Sequence, residues 1–199
     1  MNVASQPRRY RMVARAQAAA RTGERILDSA VEVFFEEPTA NISLEEVARR
    51  AGVTVQTVIR RFGGRKGLLA AAGTRESEKV RQEREVEPGD LDGAVRALVG
   101  HYERTGDHVL RMLAEEARSP ALAGIAGRGR EMHREWCEAV FAPVLAGLTG
   151  SEHQRRLAQL VAICDVYTWM LLRRQSGLSR RQTELAISEL IKPLTERGH

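Results

Sequence analysis

The chain has 199 residues, 43% apolar and 29% charged, a balance that excludes wholesale disorder and allows one or two domains with a real core. Two cysteines, Cys137 and Cys164, exclude a disulfide scaffold and fit a reducing compartment. The net charge of +5 is entirely N-terminal: residues 1–80 carry 14 Lys+Arg against 9 Asp+Glu, and residues 81–199 carry 17 of each.

Helical signals recur along the chain, and no stretch alternates apolar and polar residues between turns as a half-buried strand would. The start holds Arg8, Arg9, Arg11 and Arg15 with no apolar core segment, so no secretory leader is expected and the chain reads as cytoplasmic. Ile26, Ala30, Val33 and Phe34 keep helical spacing, and their helix should stop before Pro38. Ser43 with Glu46 forms a capping box opening a short helix, Leu44 to Ala51, which Gly52 ends. Thr54 caps the next helix, which runs to Phe62 before Gly63 and Gly64 break it; another follows from Arg65 to about Ser77. Residues 83–90, with Pro88 and Gly89, read as a linker.

Beyond the linker, helices are expected near 92–105, 107–118, 119–147, 151–174 and 179–194, with capping boxes at Ser151/Gln154 and Ser179/Gln182. Pro120 suits a first turn, and Pro143 or the glycines of 124–129 would break or kink the long 119–147 helix. The apolar stretch from Leu157 to Leu172 contains Asp165 and is too short and polar for a membrane span. The expected architecture is all-α. It has a basic arm over 1–20, a three-helix helix-turn-helix domain over 21–80 and a larger helical domain over 81–199.

The sharpest signal lies between residues 43 and 62. A helix-turn-helix brings two short helices close at the joint, which demands a small residue, a glycine at the turn and apolar residues locking both helices to a third. Val47, Ala48, Ala51, Gly52, Val53 and Val58 supply these in order. Outward on the second helix remain Thr54, Val55, Gln56, Thr57, Arg60 and Arg61, a polar and basic face that suits a DNA major groove. The plain alternative is a helical hairpin whose glycine only terminates a helix.

The segments RTGERILDSAVEVF at 21–34, SLEEVARRAGVTVQTVIRRF at 43–62 and GGRKGLL at 63–69 resemble the N-terminal domain of TetR-type transcriptional regulators. The stretch YTWMLLRRQSGLSR at 167–180 resembles tails in that family less specifically. The resemblance implies that Thr54 contacts a phosphate, that Val55, Gln56 and Thr57 face bases or sugar-phosphate, and that Lys66 reaches a phosphate. It departs at Ile59, where the family commonly has an aromatic, and at Arg60 and Arg61, where it often has tyrosine and histidine. Those arginines would replace a lost phosphate contact or read guanine through O6 and N7. The arm from Arg8 to Arg15 is either a minor-groove contact or a solvated tail.

For residues 81–199 the resemblance implies dimerisation and a small-molecule effector. Leu157, Leu160, Val161, Cys164, Thr168 and Leu171 form one apolar stripe; Ile163, Val166, Tyr167 and Met170 form another, so that helix should be buried on two sides. Family dimers pair their last two long helices, which makes Leu160, Cys164, Leu171, Ile187, Ile191 and Leu194 the interface candidates. The candidate effector pocket comprises Met112, Met132, Trp136, Phe141, Asp165 and Trp169, with Asp165 expected to meet a ligand or a partner-chain donor. His133 and Cys137, at i and i+4, have metal-ligand or thiol–base spacing but lack further ligands or an orienting third group, and read as a surface histidine and a half-buried thiol. FGGRKG is no phosphate loop, and the 124–129 glycines have no preceding strand. The resemblance implies an operator-binding homodimer, most simply a repressor released by an unknown effector; the residues themselves offer no metal site, cofactor motif, membrane span or catalytic constellation. The alternative is a helical enzyme or interaction protein that keeps the N-terminal hairpin only for packing.

Overall fold

The computed structural model describes residues 6–36 and 42–195, and among them helices and turns account for all regular structure. The chain divides into two compact units, residues 1–75 and 76–199, where the charge pattern placed the boundary at 80/81.

The first unit opens with α1 (Gln6–Glu36). Residues 6–20, expected as an arm apart from the domain, continue this helix: alanines at 14, 16 and 18–20 are strong helix formers, and no glycine interrupts before Gly23. Residues 1–5, Pro38 and the side chains of Arg8, Arg9 and Arg11 lie outside the described residues, while Arg15 is exposed. Two short helices follow, α2 (Leu44–Ala51) and α3 (Val55–Phe62), and then α4 (Arg65–Glu83), within which the unit boundary falls. Ile26, Ala30 and Val33 of α1 are buried, as are Val47, Ala48 and Ala51 of α2, Val58 of α3, and Leu68, Leu69 and Ala72 of α4. These are the residues whose spacing marks one apolar face on each helix.

The second unit contains α5 (Leu91–Glu115), a 3₁₀ turn at Glu116–Arg118, α6 (Pro120–Val140), α7 (Ala142–Leu145), α8 (Gly150–Ile163), α9 (Val166–Trp169) continued by a π-helical Met170–Gln175, and α10 (Arg180–Thr195). Its core joins Leu98, Val99 and Tyr102 of α5 to Cys137 and Val140 of α6, Leu157 and Leu160 of α8, Trp169 of α9, and Ile187 and Ile191 of α10.

Four expectations change here. The helices expected at 92–105 and 107–118 are a single α5 running through Gly106. A Cβ there would lie 2.4 Å from the Trp169 ring, so the glycine makes room for an indole rather than a break. The 119–147 helix ends at Val140, while the glycines of 124–129 sit inside it unbroken. The cap of α8 is Thr149 rather than Ser151, and it makes no side-chain hydrogen bond. The 151–174 helix breaks at Cys164 and Asp165. There Asp165 Oδ1 accepts the Tyr167 amide at 2.9 Å, the Cys164 carbonyl accepts the Tyr102 hydroxyl at 3.1 Å, and the Ala162 carbonyl accepts Thr168 Oγ1 at 2.6 Å. Side chains thus serve the backbone groups that a broken helix leaves open.

Candidate nucleic-acid interface

Caps and left-handed glycines set the joint between α2 and α3. Ser43 Oγ accepts the Glu46 amide at 3.1 Å, the forward half of the capping box. The return half is not made, because Glu46 binds Arg49 at 2.7 and 2.8 Å and Arg50 at 2.6 Å. Hydrogen bonds from Arg49, then from Arg50, hold its carboxyl down at about 2. Gly52 ends α2 at φ 63° and Gly63 ends α3 at φ 74°, conformations in which a Cβ is strained. Between them Thr54 caps α3, its Oγ1 accepting the Thr57 amide at 3.2 Å.

Val58, fully buried, locks α3 to the unit's core and thereby decides what faces out. Thr54, Gln56, Ile59, Arg60 and Arg61 are exposed, Val55 and Thr57 half-buried, and Lys66 exposed in the first turn of α4. All eight residues picked from the sequence therefore lie at the surface of this unit. They do not all behave alike. The Arg61 guanidinium, though exposed, lies beside α1 at Gly23, where a Cβ would come within 2.3 Å of Nη2.

Several other cations of the unit are engaged. Arg50 pairs with Glu36 at 2.6 Å, Arg75 with Asp28 at 2.9 Å, and Arg65 Nε donates to the Ile42 carbonyl at 2.9 Å. Arg60 and Lys66 have no such partner among the described residues. Two unmatched cations flank the exposed face of a short helix, the arrangement that a phosphate backbone neutralises. Lys66 also sits where the first-turn amides and dipole of α4 favour an anion. The sequence reading missed Gly67, whose Cα abuts the Phe62 carbonyl; a Cβ would meet that oxygen at 1.7 Å, so α4 can start close to α3 only with glycine there.

In the second unit the expected dimer contacts Leu160, Cys164, Ile187 and Ile191 are buried in the unit's own core, which corrects their assignment: a side chain closed off within one chain has no surface for a partner. Leu194 is partly buried against that core and Leu171 is exposed. Among the pocket candidates, Trp169 and Phe141 are fully buried, Met112 is buried, and Met132 and Trp136 are half-buried. Asp165 is committed to capping α9. His133, expected at the surface, is buried: its Nε2 donates to the Val161 carbonyl at 3.2 Å and its Nδ1 accepts from Arg84 at 3.3 Å. Cys137 is fully buried, and its thiol is pushed up chiefly by a hydrogen bond with Cys164 and by burial. Among the described residues no group of three or more His, Cys, Asp or Glu side chains is placed to hold a metal ion, and no helix is long and apolar enough to cross a membrane.

Arg84 carried no sequence signal, yet it is only 3% exposed. Its guanidinium lies 4.0 Å from the Trp136 ring centroid and 6.0 Å from that of Tyr102, and its carbonyl accepts Trp136 Nε1–H at 2.8 Å. Its Nε has no hydrogen-bond partner, and among the described residues no carboxylate pairs with it. A desolvated cation–π contact returns about 2 kcal/mol, against roughly several kcal/mol to bury the charge. The cation is left under-compensated. His101, also buried, has an unpartnered Nδ1 that lies 3.6 Å from Glu83.

Comparisons with known proteins agree with this geometry. Residues 26–72 match the family model of the bacterial regulatory proteins, tetR family. An uncharacterized HTH-type transcriptional regulator of Mycobacterium tuberculosis (strain ATCC 25618 / H37Rv) is 26% identical over 155 residues, 76% of this chain and 82% of that protein. The crystal structure of a transcriptional regulator from Rhodococcus sp. Rha1 superposes with a TM-score of 0.65 at 25% identity, covering 86% of this chain and 95% of that one. SmeT, solved in complex with triclosan, shares the fold with a TM-score of 0.62 at 17% identity over 89% of this chain and 93% of its own.

Proposed function

We propose that the chain is a transcriptional regulator of the TetR type rather than an enzyme, acting in the cytoplasm as a homodimeric repressor that binds a two-fold symmetric operator and releases it on binding a small molecule. The observation that carries the DNA-binding part is the outward face of α3, bounded by the left-handed Gly52 and Gly63 and flanked by the unmatched cations of Arg60 and Lys66. In this reading Thr54 and Lys66 hold phosphates, and Val55, Gln56, Thr57, Ile59 and Arg60 face the major groove. Arg61, exposed at the end of α3, adds a phosphate or guanine contact in the same reading.

A recognition element of one short helix reads few base pairs, so two copies about one DNA turn apart are needed for useful affinity. Support for a dimer comes from the apolar surface left on the last helices: Tyr167, Leu171, Leu185 and Leu190 are exposed, Leu185 at 59%. They replace the buried Leu160, Cys164, Ile187 and Ile191 as the contacts of this reading. Effector response is proposed by analogy with proteins of this fold such as SmeT, which holds triclosan.

The test is binding to the DNA upstream of the chain's own gene, measured by fluorescence anisotropy against random duplex. Lys66→Ala should weaken both duplexes alike and lower the slope of log affinity against log salt by about 1. Arg60→Ala should cost about 1–3 kcal/mol on the preferred site and relax its specificity. Equal affinity of the unaltered protein for both duplexes would overturn the operator reading.

A further inference from the structure

We infer that the helical unit takes an aromatic monocarboxylate, with Arg84 as its charge partner beside Trp136 and Tyr102. This rests on the effector reading above and names the ligand's chemistry.

Four observations converge. Arg84 is a buried cation whose Nε has no partner, and its surroundings hold rings and a neutral imidazole acceptor in place of a carboxylate. A buried charge left unmatched in the free protein is what an ionised ligand completes. The groups around it are flat: Trp136 stacks on His133 at 6.2 Å between centroids and meets Phe141 edge-on at 6.5 Å, so an aromatic body suits the surroundings. A single negative charge matches the one unneutralised cation, since the nearby Arg104 is already bound to Glu83 at 2.7 Å.

The fourth observation concerns His101, whose ring lies 5.5 Å from that of Tyr102, the ring that Arg84 also faces. Thr105 Oγ1 donates to the His101 carbonyl at 2.9 Å and lies 3.2 Å from His101 Nε2, while His101 Nδ1 has no hydrogen-bond partner and lies 3.6 Å from the Glu83 carboxylate. A hydroxyl on the ligand ring, able to donate or accept, would supply that partner. Arg84 is also the first residue after α4, its amide bonded to the Val80 carbonyl at 3.0 Å, and α4 carries Lys66 in its first turn. A ligand drawn to Arg84 therefore acts on the end of the helix that begins at the DNA-binding face.

The full-length protein is titrated with sodium benzoate, with 3-hydroxybenzoate and with the neutral isostere benzamide, by calorimetry and by tryptophan fluorescence. Benzoate is expected to bind saturably at least about tenfold more tightly than benzamide, and 3-hydroxybenzoate more tightly still. Arg84→Met abolishes the difference; Arg84→Lys, which keeps the charge without the planar fork, retains part of it and serves where the methionine variant fails to fold by circular dichroism. Equal binding of benzoate and benzamide, no saturable binding of either acid, or benzoate binding unchanged in both variants would overturn the inference. Operator binding separates the two readings. A protein that binds its operator but ignores the acids remains a regulator without this site, whereas benzoate bound through Arg84 with no effect on DNA keeps the site and removes its role as effector.

Discussion

Single residues decide how closely the helices of each unit approach. Gly67 and Gly106 are the positions where a Cβ meets rigid neighbours, the Phe62 carbonyl at 1.7 Å and the Trp169 indole at 2.4 Å. Gly106→Ala should therefore destabilise the second unit by about 1–3 kcal/mol in chemical denaturation, because a buried indole held by Glu103 at 3.1 Å has nowhere to go. Gly23 is the contrasting case: its neighbour is the end of the flexible Arg61 side chain, which swings aside at little expense. His101 adds a pH dependence. Burial first, and the Arg84 charge next, hold it at about 4 against Glu83, which favours the proton, while Arg104 opposes it. Since the unfolded chain takes up that proton near 6.5, stability is full above that pH and is lost as pH falls from about 6.5 to 4, by on the order of 3 kcal/mol. Melting temperatures at pH 8, 6 and 5 read this directly, and His101→Gln should flatten the decline.

At the scale of elements, the helix ends separate what local chemistry specifies from what it merely permits. Ser179 and Gln182 complete both halves of a capping box, at 3.3 and 3.0 Å, and α10 begins where that pair predicts. Ser151 and Gln154 have the same spacing and form none, because Thr149 already holds the cap position of α8. Ser179→Ala should cost about 0.5–2 kcal/mol of stability and Ser151→Ala close to nothing, a difference visible in paired urea titrations. The short α2 and α3 were legible to the residue, since Ser43, Gly52, Thr54 and Gly63 mark all four ends. The break at Asp165 was not, because an aspartate inside an apolar run carries the same pattern whether it faces a ligand or caps a new helix.

At the scale of the whole molecule, the proposed dimer makes a paired prediction. Leu171→Glu with Leu190→Glu, both exposed, should yield folded monomers by light scattering and lose operator affinity. Leu160→Ala, in the core, should cost about 2–5 kcal/mol of stability without acting on assembly first. Local chemistry along the chain sufficed for the all-helical class, the helix-turn-helix over 43–62 and the eight surface residues around it, because caps, left-handed glycines and the periodicity around Val58 act within a few residues of one another. Which of two apolar stripes lies inside, which arginines pair within a unit, and where a buried cation lies beside Trp136 were settled only by packing. An apolar periodicity says that a face is covered and not by what, and the charge on Arg84 is exceptional only because distant helices close around it.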